Sequence, residues 1–322
     1  MSPIANTLFS SLFLTSFPFL LAGIAVSSFL AAFVNDRKLA AFFPRGRVLG
    51  AIVGSLLGLL LPVGQYGTIP IARRFFRQGV PLAVVFSFLV AAPTLNVLTL
   101  WLTWQFFAER SSIFFYRSIA VWILAISIGI LFSYYRGQPQ IKEEKSLESP
   151  EFFEEDLSAI EEEIEDRSGI SDIIHEYKIK RSRQRFWLPN LSLFVRNFTR
   201  ETLEFGALLI WGCTIASLFQ LWLPQQQLIE WGQIPEAQIL VMILFGFGLS
   251  VNSSLSVLVP GSLTTTLFTG SFLAYFLPAS LINIQGVPLL LASFSRKVVL
   301  YLVLLLLSFT FLISLTLSFY LG

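Results

Sequence analysis

Long apolar stretches alternate with short basic clusters along most of this chain, and their lengths predict membrane-spanning helices. A helix needs about 20 apolar residues to cross a hydrocarbon layer roughly 30 Å thick. By this measure the pattern predicts five full spans, at Leu8 to Val34, Val80 to Phe107, Ser112 to Tyr135, Phe198 to Leu223 and Val298 to Leu321. We therefore expect an all-α, polytopic membrane protein.

Two further apolar stretches do not fit a single crossing. Val48 to Ala72 is interrupted by prolines and glycines, whereas Ala237 to Ser295 runs for 59 residues without a charge and contains the polar break SVNSS. A helix break leaves backbone N–H and C=O groups unpaired, which is tolerated at membrane depth only inside protein or beside water. Each stretch is therefore predicted to hold a re-entrant broken-helix hairpin, and the second also a sixth span that ends at Arg296.

The basic clusters predict the orientation of these elements. Short cytoplasmic loops are enriched in Lys and Arg, and this chain has four such groups: Arg37 to Arg47, Arg73 to Arg77, the loop from Arg136, and Arg296 with Lys297. All four face the cytoplasm if residues 48–76 enter from the cytoplasm, turn at residues 64–67 and return. This orientation places both chain termini outside.

The two halves carry polar residues at the same spacing. Asn96 follows Gln65 of the first break by 31 residues, and Asn283 follows Asn252 of the second break by the same distance. Each half then contains three full spans and one hairpin, and the second half starts on the opposite side. Two inverted repeats of this kind are typical of transporters. We predict a first membrane repeat at residues 1–135 and a second at 198–322.

Residues 136–197 separate the two predicted repeats and carry 10 basic and 14 acidic side chains. They predict a cytoplasmic charged linker with one amphipathic acidic helix at Phe152 to Tyr177 and a basic end. One interpretation is an element that docks a cytoplasmic partner. The commoner one is a solvated connector whose basic end lies on anionic lipid headgroups.

The two breaks are the candidate solute site. Thr68 and Pro70 suit the first turn of a half-helix that starts after Gly67, with the Thr68 hydroxyl capping free N–H groups. Two half-helix N-termini that meet at membrane depth would attract an anion or an electron-rich neutral solute. The alternative is that the amides only hold the hairpins in place. The candidate substrate-binding residues are Gln65, Tyr66, Gly67, Thr68, Asn96, Asn252, Ser253, Ser254, Ser256 and Asn283.

Several functional classes find no support in the sequence. We expect no charged side chain in the middle of a span, so a carboxylate proton relay is not predicted. The chain has one His, in the charged linker, and lacks both the phosphate-binding G-x-x-x-x-G-K-[ST] loop and the H-E-x-x-H zinc motif. We therefore predict no catalytic residue, metal site, cofactor or nucleic-acid partner. For the arginines at residues 73–77, anchoring by the positive-inside rule is favoured over attraction of anions.

The broken segments resemble a known family. The arrangement of Pro62, Gly67 and Pro70, then GVP and FLVAAPTLN, is similar to the predicted-permease family that includes organoarsenical-efflux permeases. In the second half, LSVNSSLSVLV, AYFLPASLINIQG and FSRKVVL resemble that family's second signature. The resemblance implies a permease in the bacterial plasma membrane, with its site at the breaks.

This chain departs from the family pattern at the positions that carry chemistry. Similar members have Cys-x-Cys-Gly where this chain has residues 64–67, a Cys-Ser pair followed by Asp where it has Asn252, Ser253 and Ser256, and Asp-x-Lys where it has Asn283 and Gln285. Thiolates suit metalloids, whereas amides and hydroxyls do not. The resemblance thus implies a retained location and a different solute.

The leading hypothesis is a permease that moves a small neutral or anionic solute by alternating access. One alternative is a transport-inactive scaffold or regulatory partner that acts through residues 136–197, and another is a channel lined by the hairpin tips. A homo-oligomer or a cytoplasmic partner is compatible with each of them.

Overall fold

All regular structure that the computed structural model describes is helical. It describes residues 3–108, 111–135, 171–222, 235–250 and 269–321. The helices are α1 (Pro3–Phe33), α2 (Asp36–Phe42), α3 (Arg47–Leu60), α4 (Gly64–Arg77), α5 (Leu82–Leu95), α6 (Val97–Phe106), α7 (Ser111–Ser133), α8 (Ser171–Trp222), α9 (Pro235–Leu249), α10 (Thr269–Leu281), α11 (Val287–Ser293) and α12 (Arg296–Leu321).

Five helical segments are long and apolar enough to cross a membrane. They are Pro3–Phe33, Leu82–Phe106, Ser112–Ser133, Asn190–Trp222 and Arg296–Tyr320. Each coincides with one of the five predicted full spans, so the prediction of an all-α polytopic membrane protein is confirmed. The sixth predicted span is divided between α10 and α11, and α10 with its 13 residues is too short to cross alone.

The first broken stretch reverses the direction of the chain. Its two helices, α3 and α4, have 14 residues each and are about 21 Å long, which is less than the hydrocarbon thickness. Phe43, just before α3, lies with its ring centroid 5.7 Å from that of Phe75 near the end of α4. The chain therefore leaves this hairpin on the side where it entered. Insertion of the hairpin into the membrane stays a prediction.

Helix α5 packs against both arms of the hairpin. Three glycines at every fourth position of α3 lie against it, with Gly50 close to Ala83, Gly54 to the backbone of Val84, and Gly58 to that of Ala92. This order makes α3 and α5 parallel. The other arm contributes ring packing onto α5, with Phe75 and Phe88 5.4 Å apart. Small residues on α3 thus permit the close contact that aligns the first arm.

The described part of the second half repeats this arrangement. At their beginnings, α9 and α10 are joined by a hydrogen bond of 2.6 Å from Ser271 to Gln238. Farther along, Gly246 of α9 lies against the backbone of Tyr275 and Ala279, so α9 and α10 are also parallel. These contacts support the repeat. It stays a prediction, since the tip of the second hairpin falls in residues 251–268, outside the described residues.

Helices α1 and α8 run in opposite directions. In α1, Phe19 and Gly23 lie against Gly64 and Gly67 of α4, so α1 and α4 are parallel. The end of α4 is bonded to α8 near residues 201–204, where the apolar part of α8 begins. Antiparallel first spans are what inverted repeats require.

The division at residue 197 is not marked by a helix break. Helix α8 has 52 residues, about 78 Å, and runs without interruption from Ser171 to Trp222. Most of the predicted linker and of its acidic helix lies outside the described residues. The three-part division of the chain therefore stays a prediction.

Cysteine labelling tests the reversal of the chain. In a Cys213→Ser background, we expect Arg45→Cys and Arg77→Cys to react with a membrane-impermeant maleimide from the same side. Ser112→Cys, at the opposite end of α7, serves as the control and should react only from the other side. Labelling of Arg77→Cys from the side of Ser112→Cys would exclude the hairpin, because α4 would then complete a crossing.

Candidate functional site

The first hairpin meets the break after α10 at a buried tyrosine. The Tyr66 hydroxyl donates a hydrogen bond of 2.8 Å to Oε1 of Gln285 and accepts one of 3.2 Å from Nδ2 of Asn283. All three side chains are fully buried. Residues more than 200 positions apart in sequence are thus joined where both halves are broken.

Gln285 connects this contact to two further helices. Its Nε2 donates to the Ser16 hydroxyl of α1 at 2.9 Å and to Sγ of Cys213 of α8 at 3.0 Å. Tyr66, Asn283, Gln285, Ser16 and Cys213 are called the tip cluster below. Sequence reasoning missed Ser16 and Cys213 as members. Gln285 could have been found, since it occupies a position at which the resemblance places a functional charge.

Gln65, next to Tyr66, is buried but unbonded. Its side chain is 1 % exposed, and neither Nε2 nor Oε1 has a hydrogen-bond partner among the described residues. An unpaired buried amide costs about 1–3 kcal/mol, and such groups in folded proteins call for an explanation such as a ligand or water. Gln65 therefore supplies a free donor and a free acceptor at the hairpin break.

Thr68 does not play the predicted role of a helix cap. Because Gly64 adopts a positive φ of 64°, helix α4 starts at residue 64, four residues earlier than expected. Thr68 is consequently inside the helix, and its hydroxyl donates to the Gly64 carbonyl at 2.7 Å. No side chain caps the start of α4, so the capping prediction for Thr68 is wrong.

Gly67 is where the hairpin approaches α1 most closely. A Cβ atom at Gly23 would overlap the Gly67 backbone, and one at Gly67 would overlap the carbonyl of Phe19. Only glycine fits at this crossing. The two glycines therefore fix the distance of α1 from the residues that precede and follow Tyr66.

The two predicted asparagines have the same local geometry and different surroundings. Asn96 Oδ1 accepts from the Thr99 N–H at 2.8 Å, and Asn283 Oδ1 accepts from the Gly286 N–H at 2.7 Å. The Asn96 amide donates only to carbonyls of its own segment, whereas that of Asn283 reaches Tyr66. The described hydrogen bonds bring Asn283, but not Asn96, into the tip cluster. Asn252, Ser253, Ser254 and Ser256 lie outside the described residues.

Two arginines of α4 pair with acidic residues of α8. Arg73 Nη1 lies 2.7 Å from Glu204 Oε1, and Arg74 Nη2 lies 3.0 Å from Glu201 Oε1. These arginines therefore do more than obey the positive-inside rule, because they fasten the hairpin to the second half on the predicted cytoplasmic side.

Arg117 corrects the expectation that spans carry no charge away from their ends. It lies in the span Ser112–Ser133, and its side chain is 1 % exposed. Its Nη1 donates to the Thr103 hydroxyl at 2.6 Å, and its guanidinium lies 4.3 Å from the ring centroid of Phe276. The sequence signal was an isolated arginine well inside an apolar stretch.

The chemistry of the tip cluster is that of amides, hydroxyls and one thiol. Within the described residues, no group of three His, Cys, Asp or Glu side chains could hold a metal ion. The cluster can donate hydrogen bonds to, and accept them from, a neutral or anionic molecule.

Comparison with known proteins covers nearly the whole chain. A family model described as "Predicted permease" matches residues 3–319. The chain is 28 % identical over 298 residues to the UPF0718 protein YcgR of Bacillus subtilis (strain 168), covering 92 % of this chain and 91 % of that protein. It is 25 % identical over 293 residues to a protein of Streptococcus mutans named "Putative two-component membrane permease complex subunit", covering 91 % and 88 %. No solved structure matches.

Proposed function

This chain belongs to the predicted permease family, and from that premise we propose that it moves a small neutral or anionic solute through the tip cluster. Family membership, the bacterial relatives and the five apolar helices make it a multi-pass bacterial membrane protein, and a transporter rather than an enzyme. The orientation of the termini, with both outside, is part of the proposal.

Gln65 is the observation that carries the choice of site. It is a buried amide with four unused hydrogen-bonding positions at a helix break, and its neighbour Tyr66 belongs to the tip cluster. Broken helices at the interface of two repeats are where transporters bind solutes. A solute that hydrogen-bonds Gln65 would compensate for the cost of burying its amide.

The residues around the break favour a neutral or anionic solute. The tip cluster contains no carboxylate, so it offers a cation no charged ligand. Amide and hydroxyl groups can donate to oxygens of an anion or of a polar neutral molecule.

The ion pairs of α4 support alternating access. Arg73 and Arg74 hold the hairpin against α8 on the predicted cytoplasmic side, while Tyr66 bonds to the second half at the break. A solute at the break would leave to the cytoplasm only after these ion pairs separate. Movement of one half against the other around a fixed site is the general mechanism of repeat transporters.

Transport measurements on a matched pair of variants test the site. In proteoliposomes offered phosphate, sulfate, arsenate, arsenite, urea or glycerol, we expect saturable uptake and counterflow of at least one solute. Gln65→Leu should reduce that uptake about tenfold, as the loss of one or two hydrogen bonds to solute implies. Its thermal midpoint should be unchanged or higher, because an unpaired amide is removed.

Thr310→Val in α12 is the control, since it also removes a buried hydroxyl that has no partner in the described residues. It should leave uptake within about twofold of the wild type. Unreduced uptake by Gln65→Leu would remove Gln65 from the site, non-saturable flux without counterflow would favour a channel, and no flux of any solute would favour the scaffold.

A second candidate function is that of a subunit in a permease complex. The relative from Streptococcus mutans carries that description in its name, and α8 extends 19 residues before its apolar part begins at Asn190. Affinity purification of the full chain, compared with a variant lacking residues 140–169, tests this function. A membrane protein that copurifies with the full chain and is lost from the deletion variant would support it, and equal recovery would count against this docking element.

A further inference from the structure

The guanidinium group of Arg117 is buried with one edge unused. Arg117 lies six residues after Ser111, about 9 Å along the axis of α7 at 1.5 Å per residue. Its Nη1 is bonded to the Thr103 hydroxyl, whereas Nε and Nη2 are buried and have no partner among the described residues. The side chain therefore has donors available in a place that water does not reach freely.

The charge of Arg117 is not neutralised by the protein. In the part of the chain that the structure describes, no acidic side chain forms an ion pair with it. The face of the Phe276 ring offsets part of the charge by a cation–π contact. A buried cation without a counter-charge is strongly disfavoured, and ionisable groups inside membrane spans usually serve function. Arg117 thus lacks an anion.

The free edge of Arg117 has the geometry for an oxyanion. Nε and Nη2 lie side by side in the plane of the guanidinium and can bind two oxygens of one anion. Tyr275, adjacent to Phe276 in α10, has a buried hydroxyl with no partner in the described residues. This hydroxyl lies within electrostatic range of Arg117. Three donors from two helices match three oxygens of a tetrahedral anion.

We propose that Arg117 and Tyr275 form a binding site for a tetrahedral oxyanion of the phosphate or sulfate class, either as a free ion or as a lipid phosphate. The site shares no residue with the tip cluster. It does not depend on the proposed transport through that cluster, and its test is binding rather than flux.

Equilibrium binding to the purified full-length protein tests the proposal and identifies the source of the anion. In neutral detergent, we expect saturable binding of radiolabelled phosphate or sulfate. If the ligand is a lipid, native mass spectrometry should show phosphatidylglycerol retained from mixed vesicles of phosphatidylglycerol and phosphatidylcholine. Either result supports the site, and the arm that responds gives the source.

Variants of both residues assign the binding. Arg117→Gln should weaken it about 10- to 100-fold, and Tyr275→Phe about two- to tenfold, as expected for a charged and a neutral hydrogen bond. Arg47→Gln is the matched control, because Arg47 also lies over an aromatic ring, 4.1 Å from the centroid of Tyr134, but is exposed. Binding by this control should equal that of the wild type.

Tyr275→Phe and Arg117→Lys keep the test decisive if Arg117→Gln does not fold. Lysine retains the charge and loses the two-donor edge, so binding should weaken without being abolished. Wild-type affinity in both of these variants would overturn the proposal. So would a wild-type protein that binds neither phosphate nor sulfate and retains no phosphatidylglycerol.

Discussion

Gly23→Ala is expected to destabilise the protein and abolish transport, although it adds a single methyl group. The added Cβ would overlap the backbone of Gly67, which cannot move aside as a flexible side chain would. Overpacking of a close-packed interior costs about 1–3 kcal/mol, and an overlap with backbone falls at the upper end of that range. Separation of α1 from α4 would also displace Tyr66 from the tip cluster.

The unfolding midpoint of the detergent-solubilised protein, followed by the fluorescence of its 7 Trp residues, measures the effect on stability. Gly206→Ala in α8 is the matched control, because nothing lies within 4 Å of the added Cβ there. It should be neutral or slightly stabilising, since alanine favours helix by up to about 1 kcal/mol. Equal midpoints for the two variants would show that α1 and α4 do not pack as closely as described.

Tyr66→Phe is expected to lower both stability and transport. The hydroxyl serves two amides at once, accepting from Asn283 and donating to Gln285. Without it, each amide retains a buried group that lacks a partner, at a cost of about 1–3 kcal/mol. The contact between the two broken segments is lost as well, so we expect transport to fall at least about tenfold.

A double-mutant cycle separates this contact from a general loss of packing. Tyr66→Phe and Gln285→Leu should be non-additive in unfolding free energy by about 0.5–3 kcal/mol, because they remove the same hydrogen bond. Tyr301→Phe, on the exposed face of α12, is the control and should leave stability and transport unchanged. Additive effects of Tyr66 and Gln285 would contradict the bridge between the halves.

The positions of helices and breaks could be predicted from the sequence because they depend on local composition. Apolar length located the five spans, and prolines with glycines located the break that became Leu61–Val63. The start of α4 was placed incorrectly, since the positive φ of Gly64 extends the helix backward. That conformation depends on contacts with Phe19 of α1, which a local pattern does not contain.

The composition of the tip cluster could be predicted only in part. Tyr66 and Asn283 were identified because they stand at breaks, and both are in the cluster. Asn96 was chosen by the same reasoning, yet its hydrogen bonds remain within its own segment. Polar type and spacing were equal for the two asparagines. The difference between them arises from which helix lies opposite.

By itself, the sequence determined that this protein is helical, that it lies in a membrane and where its helices break, since these properties follow from the cost of placing unpaired backbone or charge in hydrocarbon. Only the tertiary structure decided that Tyr66 bonds to Gln285, that Gln65 stays unbonded and that Arg117 is buried without a counter-charge. Those features depend on contacts between distant segments, and such contacts are set by how the helices pack around one another.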